Sequence, residues 1–166
     1  VTTEEATPRE AARILLFDDE DRLFLLRGHD PYLPERSWWF TPGGGLHNGE
    51  THREAAAREV REEAGFVVPI PALAGPVWER TAVFDFMRNP YVQHEEFFLA
   101  RAADAVERRP AVWTEAERDT IEAEAWYSVD EIRRFDIEVF PLALAELLST
   151  VLPWDGKLRH LGTEAA

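Results

Sequence analysis

Residues 44–66, GGLHNGETHREAAAREVREEAGF, decide how the whole chain is read. Thr51 and Glu54 have the spacing of a capping box, with Thr51 as N-cap and Glu54 reaching back from the third helical position. Gly65 supplies a left-handed stop after Ala64, so a helix of about three turns is expected between them. Glu59, Glu62 and Glu63 stand at i, i+3 and i+4, which places three carboxylates on one helix face. Ala57, Val60 and Ala64 point to another side and suit packing against a sheet. Three crowded acids repel one another, and a solvated face usually interleaves Lys or Arg between them. A hard divalent cation resolves that repulsion, because it takes oxygen ligands and inverts the local electrostatics.

Gly44, five residues, Glu50, seven residues and then Arg58-Glu59-Val60-Arg61-Glu62-Glu63-Ala64-Gly65-Phe66 resembles the Nudix box at every defined position. The resemblance implies an α/β fold, a Nudix-like α/β/α sandwich with a mixed central sheet, over nearly the whole chain. It implies Mg²⁺, with Mn²⁺ as an alternative, held by Glu62 and Glu63, with Glu59 a further ligand or the general base. It also implies that the Gly43 carbonyl completes the site at the helix entrance. Gly44, Glu50, Arg58 and Gly65 match the structural part of the box, the Glu50–Arg58 pair holding the loop onto the helix. Family members usually draw one more carboxylate from outside the box. Glu95 and Glu96 are the candidates, and strand alternation lets at most one of them face inward. Glu115, Glu117 and Glu122 are rivals, surface charge being the commoner role for each.

The remaining composition is compatible with that reading. At 166 residues the chain has the length of one domain with a real core. Hydrophobic content of 45% beside 30% charged residues is globular. The absence of cysteine excludes disulfides, thiolate metal sites and a Cys nucleophile. No apolar run approaches membrane-spanning length, and the acidic opening VTTEEATPRE is unlike a signal peptide, so a cytoplasmic protein with no membrane partner is expected. A formal charge of −14 weighs against a nucleic-acid polymer as partner but not against a small phosphorylated substrate. Many relatives dimerise, which leaves a homodimer open.

Taken in order, residues 1–10 read as a loose lead-in. Residues 12–17 (ARILLF) and 22–27 (RLFLLR) form a hairpin, followed by a loop over 29–37 marked by Pro31 and Pro34. Beyond the box helix, residues 77–86 and 92–101 read as long strands, residues 102–120 as irregular, and residues 122–127 as a short strand. Ser128 and Glu131 cap a short helix, and residues 140–152 form an amphipathic helix with Pro141 in its first turn. Residues 154–166 are expected to be loose. One domain spans 1–166.

Other residues carry competing roles. Trp38, Trp39, Phe40, Trp78 and Tyr91 suit base stacking, although core packing is the commoner fate. Arg27 and Arg80 are candidate phosphate ligands against the alternative of ion pairing. His47 and His52 flank the box without metal-pair spacing, and His94 is a candidate base beside Glu95. Leu142, Leu144, Leu147 and Leu148 suit a core or a dimer face.

The expected activity is Mg²⁺-dependent hydrolysis of a phosphoanhydride in a nucleoside diphosphate linked to another moiety, such as ADP-ribose or a nucleotide sugar. The alternative is a nucleoside triphosphate pyrophosphohydrolase acting also on oxidised dNTPs. A non-catalytic nucleotide-sensing module is opposed by the complete set of box carboxylates, and an isoprenoid diphosphate isomerase by the lack of a cysteine. RNA decapping is disfavoured by the negative charge.

Overall fold

The computed structural model describes residues 5–166. The chain opens with strands β1 (Thr7–Phe17), β2 (Leu23–Asp30), β3 (Leu33–Phe40) and β4 (Gly43–Gly45), then helix α1 (His52–Ala64) and strand β5 (Phe66–Val67). Two long strands follow, β6 (Ala74–Phe86) and β7 (Asn89–Arg101), then β8 (Glu107–Arg108), α2 (Glu115–Thr120) and β9 (Ile121–Tyr127). The last elements are α3 (Val129–Arg133), β10 (Glu138–Phe140), α4 (Leu144–Leu147) and β11 (Arg159–Ala165).

The central sheet runs β10-β3-β2-β1-β7-β6-β11, with β4 added on β1 and β9 on β2. It is mixed. β1 pairs parallel with β7, β6 with β11 and β3 with β10, while β1–β2, β2–β3 and β6–β7 are antiparallel. Because both faces are covered, the apolar run of β1 serves two cores. Ala12, Ile14 and Leu16 pack with Val60 and Ala64 of α1, and Leu15 and Phe17 pack with Ile132 and Leu144 on the opposite face. The result is helix, sheet and helix in layers, the sandwich anticipated from the box.

The helix signals act as expected at the backbone. Thr51 Oγ1 accepts the Glu54 N–H at 3.1 Å, and Gly65 adopts φ 78° with its N–H on the carbonyls of Arg61 and Val60. One arm of the capping box differs, since the Glu54 carboxylate takes the Thr51 hydroxyl hydrogen at 2.9 Å. α3 shows the full reciprocal box between Ser128 and Glu131.

Several expectations are corrected. Within the expected lead-in, Thr7–Glu10 belongs to β1, held by eleven successive parallel pairs that run from Thr7–Tyr91 to Phe17–Arg101; residues 1–4 lie outside the described residues. The expected 29–37 loop is a hairpin, because Pro34 falls in the irregular stretch between the Asp30–Leu33 and His29–Ser37 pairs, where no ladder N–H is needed. The 140–152 helix contracts to α4 and one 3₁₀ turn. Phe140 precedes Pro141 and is therefore held extended, and Val139 joins Trp39 in a parallel pair. The 102–120 stretch carries β8 and α2, and the tail forms β11 on β6 instead of hanging loose.

Candidate active site

The glycine strand β4 brings α1 against the sheet. The Gly43 N–H donates to Glu63 Oε2 at 3.0 Å, which ties the glycine strand to the acid face of the helix. At Gly44 a Cβ would stand 2.6 Å from Glu59 Oε1, and only glycine leaves that carboxylate in place. Arg58 organises the loop. Its Nε and Nη2 each donate to Glu50 at 2.8 Å, and Nη2 also reaches the Gly45 carbonyl at 3.0 Å. The fork holds the Glu50 carboxyl down at about 2 through its hydrogen bonds. Arg58 Nη1 lies between two further acids, 2.7 Å from Glu59 and 3.2 Å from Glu62.

Glu59 and Glu63 are buried, whereas Glu62 is 36% exposed along its side chain. Burial pushes the Glu59 carboxyl up despite the Arg58 hydrogen bond. Burial, reinforced by the neighbouring Glu59 charge, pushes Glu63 well above the ordinary carboxyl value. A third acid joins them. Glu59, Glu63 and Glu117 each place an oxygen within 4.8 Å of the others. Glu117 was a rival in the sequence reading, and the segment that read as irregular delivers it. Val112 N–H bonds to Glu62 O at 2.7 Å, Arg109 N–H to Gly65 O at 2.6 Å and Trp113 Nε1–H to Glu63 O at 3.0 Å, which laces the segment along the end of α1. Three oxygen donors with surplus negative charge fit a hard divalent cation such as Mg²⁺ or Mn²⁺.

Glu63 and Glu117 open onto a cavity of about 260 Å³. Its walls include Arg9, Arg36, Trp38, Phe40, Phe84 and Phe140. Its floor is an ion network across the sheet. Glu95, 1% exposed, accepts from Arg13 Nε at 3.0 Å and Arg80 Nε at 2.9 Å, and Arg80 Nη1 continues to Glu164 at 2.6 Å. Burial raises the Glu95 carboxyl, but the two guanidiniums outweigh it and hold the group below its ordinary value.

Residues 7–148 match the family model described as NUDIX domain. The chain belongs to the Nudix family. It is 39% identical over 56 residues to the uncharacterized Nudix hydrolase YvcI of Bacillus subtilis, an alignment covering 34% of this chain and 32% of that protein. It is 38% identical over 60 residues to an RNA pyrophosphohydrolase of Dinoroseobacter shibae, covering 36% of each. The chain thus spans about a third of the length of these curated relatives. Among solved structures, a Nudix hydrolase from Nitrosomonas europaea superposes with TM-score 0.60 at 22% identity, over 87% of this chain and 90% of that one. A MutT Nudix hydrolase from Burkholderia pseudomallei gives 0.59 at 23%, over 84% and 95%. These likenesses carry the Nudix fold.

Against that Nudix frame, the predicted site residues separate. Glu95 turns inward but is taken by Arg13 and Arg80, and Glu96 faces away toward His52. Neither is among the clustered acids; Glu117 is. Glu115 is exposed, and Glu122 pairs with Arg27 and His29. Arg27 is therefore committed to Glu122 and Ser37, outside the cavity lining, while Arg80 lines the cavity as part of its floor. Trp39 and Trp78 are core, Trp38 and Phe40 line the cavity, and Tyr91 stacks on Phe84. His94 sits apart from Glu95 and meets Glu10 and His52 instead. Leu144 and Leu148 are core, and Leu142 is exposed. Sequence reading missed Arg9 and Glu164, both in segments expected to be loose. Arg9 has no carboxylate partner among the described residues and lies close enough to Arg13 that, after burial, this like charge most depresses its guanidinium. No described helix is long and apolar enough to cross a membrane.

Proposed function

We propose that this protein hydrolyses a phosphoanhydride bond in a nucleoside diphosphate linked to another moiety, with Mg²⁺ or Mn²⁺ held by Glu59, Glu63 and Glu117. The observation that carries this reading is the convergence of those three acids, two of which, Glu63 and Glu117, line an aromatic- and arginine-walled cavity. The cation, when bound, supplies charge neutralisation to the phosphate oxygens and an acidified water. Arg9 offers its guanidinium to a phosphate oxygen, since among the described residues it has no competing carboxylate. Trp38, Phe40 and Phe84 offer faces to a base, and the cavity is close to the lower end, about 300 Å³, of small-molecule sites, so it suits one nucleoside. Glu62, more exposed and held beside Glu59 by Arg58, serves as a further ligand or as the base that takes the water's proton.

The alternative substrate, a nucleoside triphosphate, uses the same acids with a smaller leaving group. The test is Mg²⁺-dependent turnover across ADP-ribose, nucleotide sugars, dinucleoside polyphosphates, NADH, canonical and oxidised dNTPs and a 5′-triphosphorylated RNA oligonucleotide. The last probe follows the name of the Dinoroseobacter shibae relative, against which the charge of −14 weighs. One class turned over by the parent and lost in Glu63→Gln supports hydrolysis and names the substrate. Silence across the panel, with metal and nucleotide still binding, replaces the hydrolase reading with a binding module.

A further inference from the structure

A second group of titratable side chains lies on the α1 side of the sheet, and its chemistry differs from that of the acid cluster. Glu10 on β1 and His94 on β7 are directly paired across the parallel ladder, and His52 is the first residue of α1. His52 Nε2 lies 2.9 Å and His94 Nδ1 2.8 Å from the same oxygen, Glu10 Oε2, and the rings stand at 86° to one another. One atom from each of the three residues falls within a 4.8 Å cluster.

The outer nitrogens are equally placed. His52 Nδ1 faces Glu96 Oε2 at 3.4 Å, and His94 Nε2 faces Glu79 Oε2 at 3.7 Å. Each imidazole therefore turns one nitrogen inward to a shared point and the other toward the charge of a second carboxylate, Glu79 also pairing with His160. A carboxylate behind a histidine is the arrangement that orients metal-bound imidazole and fixes its tautomer. With their protons on the outer nitrogens, the two rings present inner lone pairs to a cation; with inner protons they donate to Glu10 instead.

The charge balance points the same way. Among the described residues, Glu10, Glu79 and Glu96 have only imidazoles as ion-pair partners, in a chain with 17 arginines. With neutral histidines the group carries three uncompensated negative charges. Zn²⁺ bonds of about 2.0–2.1 Å set tetrahedral donors about 3.3 Å apart. The two oxygen–nitrogen pairs, now at 2.8–2.9 Å, need open by only a few tenths of an ångström, the two imidazole nitrogens already lie within 4.8 Å of one another, and the exposure of Glu10 and His94 leaves a route for a water as fourth ligand.

We infer that Glu10, His52 and His94 form a binding site for a borderline transition-metal ion, Zn²⁺ before all, separate from the oxygen-only Glu59/Glu63/Glu117 cluster. Mixed imidazole and carboxylate donors favour such ions over Mg²⁺. Because the three ligands come from β1, β7 and the first turn of α1, occupancy ties the start of the helix to two strands. The site then acts as a clasp, and its effect is read as thermal stability without reference to turnover.

The experiment is calorimetric titration of chelator-stripped protein with Zn²⁺ in excess Mg²⁺, with Co²⁺ absorption as a second readout and thermal melts alongside. One Mg²⁺-resistant Zn²⁺ per chain and a melting midpoint several degrees higher are expected. H52A/H94A should lose both, and E63Q should keep both. Glu10→Gln, a milder change at an exposed position, should weaken Zn²⁺ binding at least 10-fold and guards against misfolding of the double variant. No zinc binding in excess Mg²⁺, equal binding by Glu10→Gln and the folded double variant, or loss of the zinc in E63Q would each overturn the inference.

Discussion

At the scale of single residues, the candidate site crowds three carboxylates together, an arrangement that a divalent cation would relieve. Glu63 sits among Glu59, Glu117 and the Gly43 amide, so Glu63→Gln should lower turnover by about 10²–10³-fold, the range seen when one electrostatic stabiliser is removed. Glu117→Gln keeps an oxygen to accept the Thr114 N–H of its capping box and removes only the charge. It should cut turnover with little change in the melt, and steady-state kinetics beside calorimetry checks the pair. Glu50 behaves in the opposite sense. Its carboxyl is held at about 2 by Arg58 against an ordinary 4.5, so its stabilisation is present above pH 4.5 and is lost as pH falls toward 2. Glu50→Gln should flatten that part of the acid limb, measured by denaturant melts between pH 2.5 and 6.

At the scale of elements, α1 was legible because its signals are local. A Thr N-cap, a Gly stop and apolar residues on one side need no distant partner, and the box residues fixed which face carries acid. α2 was missed although Thr114 and Glu117 show the spacing that located α3, because the surrounding acidic run masked it. β3, β10 and β11 were misread for a different reason. Their residues gain strand structure from partners remote in sequence, so Pro34 and Pro141 looked decisive when their neighbours' pairing was the stronger constraint. The same remoteness hid Arg9 and Glu164 inside supposed loose ends. Gly65 shows how one local signal serves two elements. It stops α1 in a left-handed conformation, and a Cβ there would stand 1.8 Å from the Arg109 carbonyl oxygen. Gly65→Ala should cost about 2 kcal/mol or more and should also lower turnover, since it displaces the segment that carries Glu117. Chemical denaturation and kinetics on the same preparation would separate the two losses.

At the scale of the whole molecule, the cavity floor joins β1, β6, β7 and β11 through Arg13, Glu95, Arg80 and Glu164. Removing Glu95 leaves two guanidiniums without their shared carboxylate, so Glu95→Gln should destabilise by about 3–5 kcal/mol, read from the midpoint of a urea transition. A matched Arg80→Met/Glu95→Leu pair should recover part of that loss, because a well-packed apolar pair avoids the desolvation cost. The network has a consequence in time as well. Arg13 and Glu95 are 82 residues apart and Arg80 and Glu164 are 84 apart, so neither contact can form until most of the chain has met itself. Such non-local wiring makes for a high contact order, and refolding on a scale of milliseconds to seconds is to be expected, with the pocket among the last parts to close. A chain emerging from the ribosome would carry the α1 segment and its acids early, yet have no complete cavity to set them against until β11 arrives.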